Sequence, residues 1–312
     1  MAFHPELRRA ARWIPRISFG PKLVWLVNAM LRRRGISPPP EAEGVVIRDV
    51  VVPGPPDNPQ VRVRVYSPAH PADAGPALLW VHGGGFIIGT PEQDQANLIA
   101  LCRELGLVIA APAYRLAPQH PHPAPVEDAY AALTWLHSNA AKLGVSPQRI
   151  AIGGSSAGGG LGAGLVLLAH DRGEVPIAFQ LLIYPMLDDR TALRTDIDER
   201  WLRMWTTRSN RFGWTSYLGR EPGGDDVPDY AAPARRADLS GLPAAWLGVG
   251  TCDLFHDEGV GYAGSLGAGG VACELNVVEG AFHGFDMVAG AQVVRDFRSS
   301  YVAALKQGLG IA

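Results

Sequence analysis

Cysteine is scarce in this 312-residue chain. There are three, Cys102, Cys252 and Cys273, an odd number with no CxxC pair. That count argues against a disulfide framework and against a zinc site, and no metal is expected. Three reduced, buried thiols fit a cytoplasmic location. Lysine is equally scarce, with Lys22, Lys142 and Lys306 the only ones among 28 basic residues. Excess charge of either sign is absent too: the formal net charge is −2. A polyanion-binding domain normally shows a basic surplus, so nucleic acid is not an expected partner. No run approaches the ~18–20 apolar residues of a membrane span. The apolar stretch 23–31 is interrupted by Asn28 and runs into Arg32, Arg33 and Arg34, unlike a signal peptide, whose charge comes first. A P-loop is excluded, because GxxxxGK does not occur.

Apolar residues, at 47%, are plentiful, and charged residues make up 19%. That composition supports a sizeable core and excludes a disordered chain. Glycine and proline together form about a fifth of the chain, above the average of about 12%. The surplus points to tight turns and close backbone approaches.

Residues 1–43 differ from the rest. Eight basic side chains stand against one acid, Glu6, within the first 35 residues. Apolar residues such as Leu7, Ala11, Ile14, Leu23 and Leu26 recur at helical spacing, and Pro15 and Pro21 break the segment into short helices. A basic amphipathic segment can lie on a membrane. The broken, weakly apolar pattern favours instead a lid folded on the body. Pro38, Pro39 and Pro40 end the segment.

Strand patterns follow. Residues 45–52 and 61–66 are β-branched and alternating around a Pro/Gly loop, which reads as an antiparallel pair at a sheet edge. Short apolar runs at 77–81, 107–111, 149–152, 179–184, 246–249 and 273–277 alternate with helical stretches near 95–105, 126–139, 157–170, 257–266 and 291–305. The pattern predicts an α/β fold, a mostly parallel eight-stranded sheet with helices on both faces. Residues 188–218 carry no strand signal and read as helical, a second piece of cap inserted after the sixth strand. The division expected is 1–43 cap, 44–187 core, 188–218 cap insertion and 219–312 core.

The strongest local signal is Gly154-Ser155-Ser156-Ala157-Gly158. It sits between an apolar strand and a small-residue helix, the context of a nucleophile elbow. The serine occupies a strained turn, so its neighbours must lack bulk, and the helix start behind it favours negative charge. Ser155 is a rival by proximity, but the glycine spacing selects Ser156. His82-Gly83-Gly84-Gly85 follows the third strand. Amides of Gly83 and Gly84, with that of Ala157, would form an oxyanion hole. His82 reads as a loop-bracing residue rather than a base.

A nucleophilic serine needs a base and an orienting acid, expected in the order Ser, Asp, His after late strands. Asp253 follows the seventh strand and His283 follows the eighth. Rivals are Asp188, Asp257 and Glu258 among the acids, and His120, His122, His137, His170 and His256 among the histidines. Asp257 and Glu258 suit the first turn of a helix. The glycines at 158–163 also fit GxGxxA, but they lie mid-chain with no acid after the next strand, against a dinucleotide site.

HGGGF (82–86), YRLAPQHPHPAPVED (114–128), GSSAGG (154–159), DLFHDE (253–258) and HGF (283–285) together resemble the hormone-sensitive-lipase-like branch of the α/β-hydrolases, which includes bacterial family IV carboxylesterases. The resemblance runs in order from about residue 44 to the end. It implies the α/β-hydrolase fold with a helical cap, a Ser156–His283–Asp253 triad, an oxyanion hole at Gly83, Gly84 and Ala157, a small ester substrate of short to medium acyl chain, and no cofactor. It also implies a homodimer through the edge strand at 273–277. Three departures stand out: Ser155 where the family commonly has an acid, Leu254-Phe255 where it has Pro-Leu, and His122 where it has an aromatic residue. A lipase, amidase or acyltransferase could use the same triad. Plant gibberellin receptors share the fold without the histidine, and His283 argues against that alternative. Phe19, Trp25, Trp201, Trp205 and Trp214 are candidates for an acyl or alcohol pocket, with packing inside the cap as the competing role for each.

Overall fold

The computed structural model describes residues 2–34 and 40–312; Pro38 and Pro39 of the proline run lie outside the described residues. Eight strands form one sheet: β1 (Val45–Val52), β2 (Val61–Pro68), β3 (Gly75–Val81), β4 (Val108–Pro112), β5 (Val145–Ser155), β6 (Phe179–Ile183), β7 (Ala245–Cys252) and β8 (Cys273–Phe282). Their order is β1-β2-β4-β3-β5-β6-β7-β8. β2 is antiparallel to both of its neighbours, and every other pairing from β4 to β8 is parallel. The antiparallel edge expected from sequence therefore comes down to one reversed strand. Central strands β3, β4 and β6 are buried along their whole length, as a parallel sheet covered on both faces requires.

Helices α3 (Gln95–Leu105) and α8 (Gln292–Gly308) lie side by side, joined by the Tyr301 hydroxyl to Asn97 Oδ1 at 3.0 Å and by Arg298 to Glu104 at 2.8 Å. Helices α4 (Ala124–Ser138), α5 (Ala157–Arg172) and α7 (His256–Ala268) complete the layers around the sheet. In α5 every residue from Ala157 to Ala169 is buried. Its glycines allow that. A Cβ at Gly160 would come within 1.9 Å of the Met186 carbonyl oxygen, and one at Gly164 within 2.2 Å of that of Tyr230.

The N-terminal segment forms α1 (Arg8–Trp13) and α2 (Pro21–Arg34), separated at Pro15 and Pro21 as anticipated. Residues 188–218 are less helical than their composition suggests. Two 3-10 turns, Asp189–Leu193 and Glu199–Trp201, precede one α-helix, α6 (Thr207–Leu218). Asp188 and Asp198 each accept the backbone N–H two residues on, which closes short turns rather than starting long helices. The two segments meet: the Arg203 side chain donates to the Ala11 carbonyl, the Phe19 N–H donates to Ser209 Oγ at 2.8 Å, and Met204 N–H donates to Pro15 O at 3.0 Å.

Candidate active site

Strand β5 ends at Ser155 and helix α5 begins at Ala157, so Ser156 alone makes the turn. Its φ is +57° and ψ −125°, a sparsely populated conformation for a residue with a side chain. The flanking glycines explain how such a turn fits. A Cβ at Gly154 would lie 2.4 Å from the Gly158 carbonyl oxygen, and one at Gly158 would lie 2.1 Å from that of Val81. The elbow is thus pressed against the end of β3, where the glycine loop begins.

That loop brings Gly83 beside the serine. A Cβ on Gly83 would sit 3.3 Å from Ser156 Cβ. Gly84 has φ +120°, which a glycine tolerates. Ala157 is the first residue of α5, so its N–H has no acceptor four residues back in the helix. His82 is buried beneath the loop. Its Nδ1–H donates to the Gly83 carbonyl at 2.8 Å, its ring stacks on Tyr114 at 4.2 Å, and the Tyr114 hydroxyl donates to the His82 carbonyl at 2.8 Å. Burial pushes the pKa of His82 down to about 4, so the ring is neutral and braces the loop.

His283 follows β8 directly. Its Nε2 lies 2.9 Å from Ser156 Oγ, and its Nδ1 lies 2.8 Å from Asp253 Oδ2. A carboxylate only accepts, so Nδ1 carries the proton and Nε2 is left to accept from the serine hydroxyl. Asp253 stands just past β7 with its side chain wholly buried, and its Oδ1 accepts the Phe255 N–H at 3.0 Å. Two rings hold the imidazole edge to face: Tyr184 at 4.7 Å and Phe255 at 5.1 Å between centroids.

The rivals have other partners. Asp188 pairs with Arg190, and His256 opens α7 beside Asp257. Glu258 is in the first turn of α7, as expected, but it is buried. Its Oε1 accepts the Leu187 N–H at 2.6 Å, and burial pushes its carboxyl well above the usual range. His122 is half-buried against Tyr217, with burial lowering its pKa to about 4.

Of the pocket candidates, Trp205 lies against the glycine loop. A Cβ on Gly85 would meet its indole at 2.1 Å. Phe19 packs on Trp205 at 5.5 Å. Trp214 is completely buried and packed on Phe86 and Tyr217, and Trp205 is nearly as buried. Trp201 packs on Phe3, and Trp25 faces solvent.

Sequence reasoning missed Tyr184 and Asp286. The Tyr184 hydroxyl donates to Asp286 Oδ1 at 2.8 Å. Asp286 comes three residues after His283, the only local hint of its place. Burial, with smaller opposing contributions from Tyr184 and His283, leaves its carboxyl raised. Among the described residues no cluster of three or more His, Cys, Asp or Glu could hold a metal, and no helix is long and apolar enough to cross a membrane.

This strand order, with a serine at the β5–α5 turn, defines an α/β hydrolase, and residues 78–287 match the family described by the alpha/beta hydrolase fold. The chain belongs to the hormone-sensitive-lipase-like branch of that family and is a carboxylesterase, a hydrolase of ester bonds. It is 36% identical to Carboxylesterase NlhH of Mycobacterium tuberculosis over 266 residues, covering 80% of this chain and 79% of that protein. It is 33% identical to an Ethyl acetate hydrolase of Pseudomonas putida over 232 residues, covering 73% of this chain and 72% of that one. The solved structure of a Bacterial Heroin Esterase superposes with a TM-score of 0.89 at 40% identity, covering 99% of this chain and 98% of that one.

Proposed function

We propose that the carboxylesterase works through Ser156 as nucleophile, His283 as general base and Asp253 as the acid that orients it. The observation that carries this reading is the continuous relay from Ser156 Oγ to His283 Nε2 and from His283 Nδ1 to Asp253. His283 takes the serine proton as the hydroxyl attacks the ester carbonyl. Asp253 holds the tautomer and stabilises the imidazolium. The amides of Gly83, Gly84 and Ala157 receive the negative oxygen of the tetrahedral intermediate. The alcohol leaves with the proton from His283. Water, activated by the same base, then releases the acid and restores the serine.

Residues 1–43 and 188–218 act as the cap over this site, and 44–187 with 219–312 as the core. The substrate is a small ester of short to medium acyl chain. Two relatives named for ethyl acetate and heroin support small esters, and the crowding of Trp205 against Gly85 supports a short acyl pocket. Strand β8 is one of the two edges of the sheet and exposes Leu275 and Val277, which supports a homodimer formed along it. A monomer mass in light scattering would remove that assembly.

The decisive experiment is hydrolysis of p-nitrophenyl esters from acetate to palmitate by wild type and Ser156→Ala. Activity peaking at short chains and lost by ~10³-fold or more in the variant is expected. Near-normal turnover by Ser156→Ala would overturn the mechanism, and a palmitate optimum would make the protein a lipase.

A further inference from the structure

Helix α2 is apolar on the wrong side. A helix folded on a body normally turns its polar face outward. The inner side of α2 is accounted for: Val24 is buried, and Asn28 Nδ2 donates to the Ile87 carbonyl at 2.9 Å, tying the helix to the glycine loop. The outer side carries Leu23, Trp25, Leu26 and Met30, all exposed, with Trp25 at 66% and Met30 at 53%. Exposed Lys22 and Arg33 share that side, and the helix contains no acid.

The same character extends into α1. Trp13 is 82% exposed, beside exposed Arg8, Arg9, Arg12 and Arg16. Among the described residues, eleven large apolar side chains are exposed, and five of them fall between Trp13 and Met30. None of these basic side chains is paired with a carboxylate among the described residues, and Glu6 is engaged by the Val293 N–H. A chain of net charge −2 therefore concentrates unpaired positive charge on the segment that exposes its tryptophans.

We propose that this N-terminal face docks on the surface of an anionic phospholipid bilayer. Apolar side chains flanked by Lys and Arg are the two signals that together hold a peripheral helix in a headgroup layer. Tryptophan suits that layer because its ring is apolar and its N–H polar. The cationic charge selects anionic headgroups over zwitterionic ones. Docking there holds the Gly83–Gly84 loop about one helix diameter, ~10 Å, from the interface. The lid and membrane readings of this segment are then two faces of one structure.

The test is sedimentation of the full chain with vesicles of phosphatidylcholine alone or mixed 3:1 with phosphatidylglycerol, at 0.05 and 0.5 M NaCl. Tryptophan emission and thermal midpoint are recorded alongside. Expected are at least tenfold more bound protein on the phosphatidylglycerol vesicles, a several-fold loss at high salt and a blue-shifted emission. Arg9→Glu/Arg12→Glu should reduce binding at least tenfold with the midpoint and p-nitrophenyl acetate turnover unchanged. Leu26→Gln/Met30→Gln should reduce it with the midpoint unchanged. The proposal is overturned by absence of vesicle binding, by equal and salt-insensitive binding to both vesicles, by duplex DNA binding without vesicle binding, or by a dimer mass lost in Leu26→Gln/Met30→Gln. None of these readouts depends on ester hydrolysis, so failure here leaves the catalytic reading untouched.

Discussion

Tyr184 meets His283 edge to face, with 4.7 Å between ring centroids and 66° between planes, while its hydroxyl donates to Asp286 at 2.8 Å. One side chain thus touches the candidate base and satisfies a buried carboxyl. The two contacts are separable. Tyr184→Phe keeps the ring on His283 and strips the donor from Asp286, so it should lower stability by ~1–3 kcal/mol and change kcat little. Tyr184→Ala removes the ring as well, and kcat should fall about tenfold with KM near wild type, because the imidazole loses a wall. Denaturant melts and steady-state kinetics on p-nitrophenyl acetate check both. Equal kcat in the two variants would show that the ring does not position His283.

The glycine loop makes a sharper prediction. A Cβ on Gly84 would be 2.0 Å from the Ile88 carbonyl oxygen and would have to hold φ at +120°. Gly84→Ala should therefore displace its amide and lower kcat by ~10²-fold or more. Gly83→Ala meets the Ser155 carbonyl at 2.9 Å, Ser156 Cβ at 3.3 Å and Ser155 Oγ at 3.4 Å, a looser fit than at Gly84, so a smaller loss is expected. If both variants keep kcat within twofold of wild type, these amides do not bind the oxyanion.

Trp205 occupies the space beside Gly85 and Gly213 and stacks obliquely on Phe19. Trp205→Leu removes ring volume there at a cost of ~2 kcal/mol in stability. The preferred acyl chain should lengthen by about two carbons. A p-nitrophenyl ester series with an unchanged optimum would place Trp205 outside the acyl pocket.

Asp94 supplies a pH dependence. Its carboxyl accepts the Trp80 indole N–H at 2.8 Å. Burial and, to a lesser degree, the Asp286 carboxylate push its pKa up to about 6, against that hydrogen bond. A carboxyl that ionises later in the fold than in the unfolded chain favours folding while protonated. That contribution is whole below the unfolded value and is lost as pH rises through 6. Asp94→Asn keeps the acceptor for Trp80 and removes the charge. Its stability relative to wild type should grow by about 1 kcal/mol between pH 5 and pH 8. Thermal melts at the two pH values measure this, and a pH-independent difference would refute it.

Much of the fold was legible because the signals are local. All eight strands lie where apolar runs fall between turn residues, and α1 and α2 break at Pro15 and Pro21. What failed to read was helical content after β6. Trp and Arg suggested helix there, but Asp188 and Asp198 close short turns onto their own backbone. The Ser156, Asp253 and His283 candidates were legible from motif order. Tyr184 and Asp286 were not, since their contact joins residues 102 apart, with no shared motif. The partners of Trp205 and Trp214 could not be told apart by sequence, because both are aromatic residues in one segment and only packing sets Trp205 against Gly85 and Trp214 against Phe86.

The sequence by itself determined the order of the chemistry and the places where side chains are forbidden. Glycines at 83, 84, 154 and 158 stand where an added Cβ would come within 2 to 3 Å of neighbouring backbone, and those demands are written residue by residue. Only the tertiary structure decided which groups meet and which face water. It brings Ser156 to His283 across 127 residues, sets Tyr184 on both His283 and Asp286, and turns Trp25 and Met30 outward. The physical reason is that chain stereochemistry acts between neighbours, whereas burial and contact depend on everything packed around a residue.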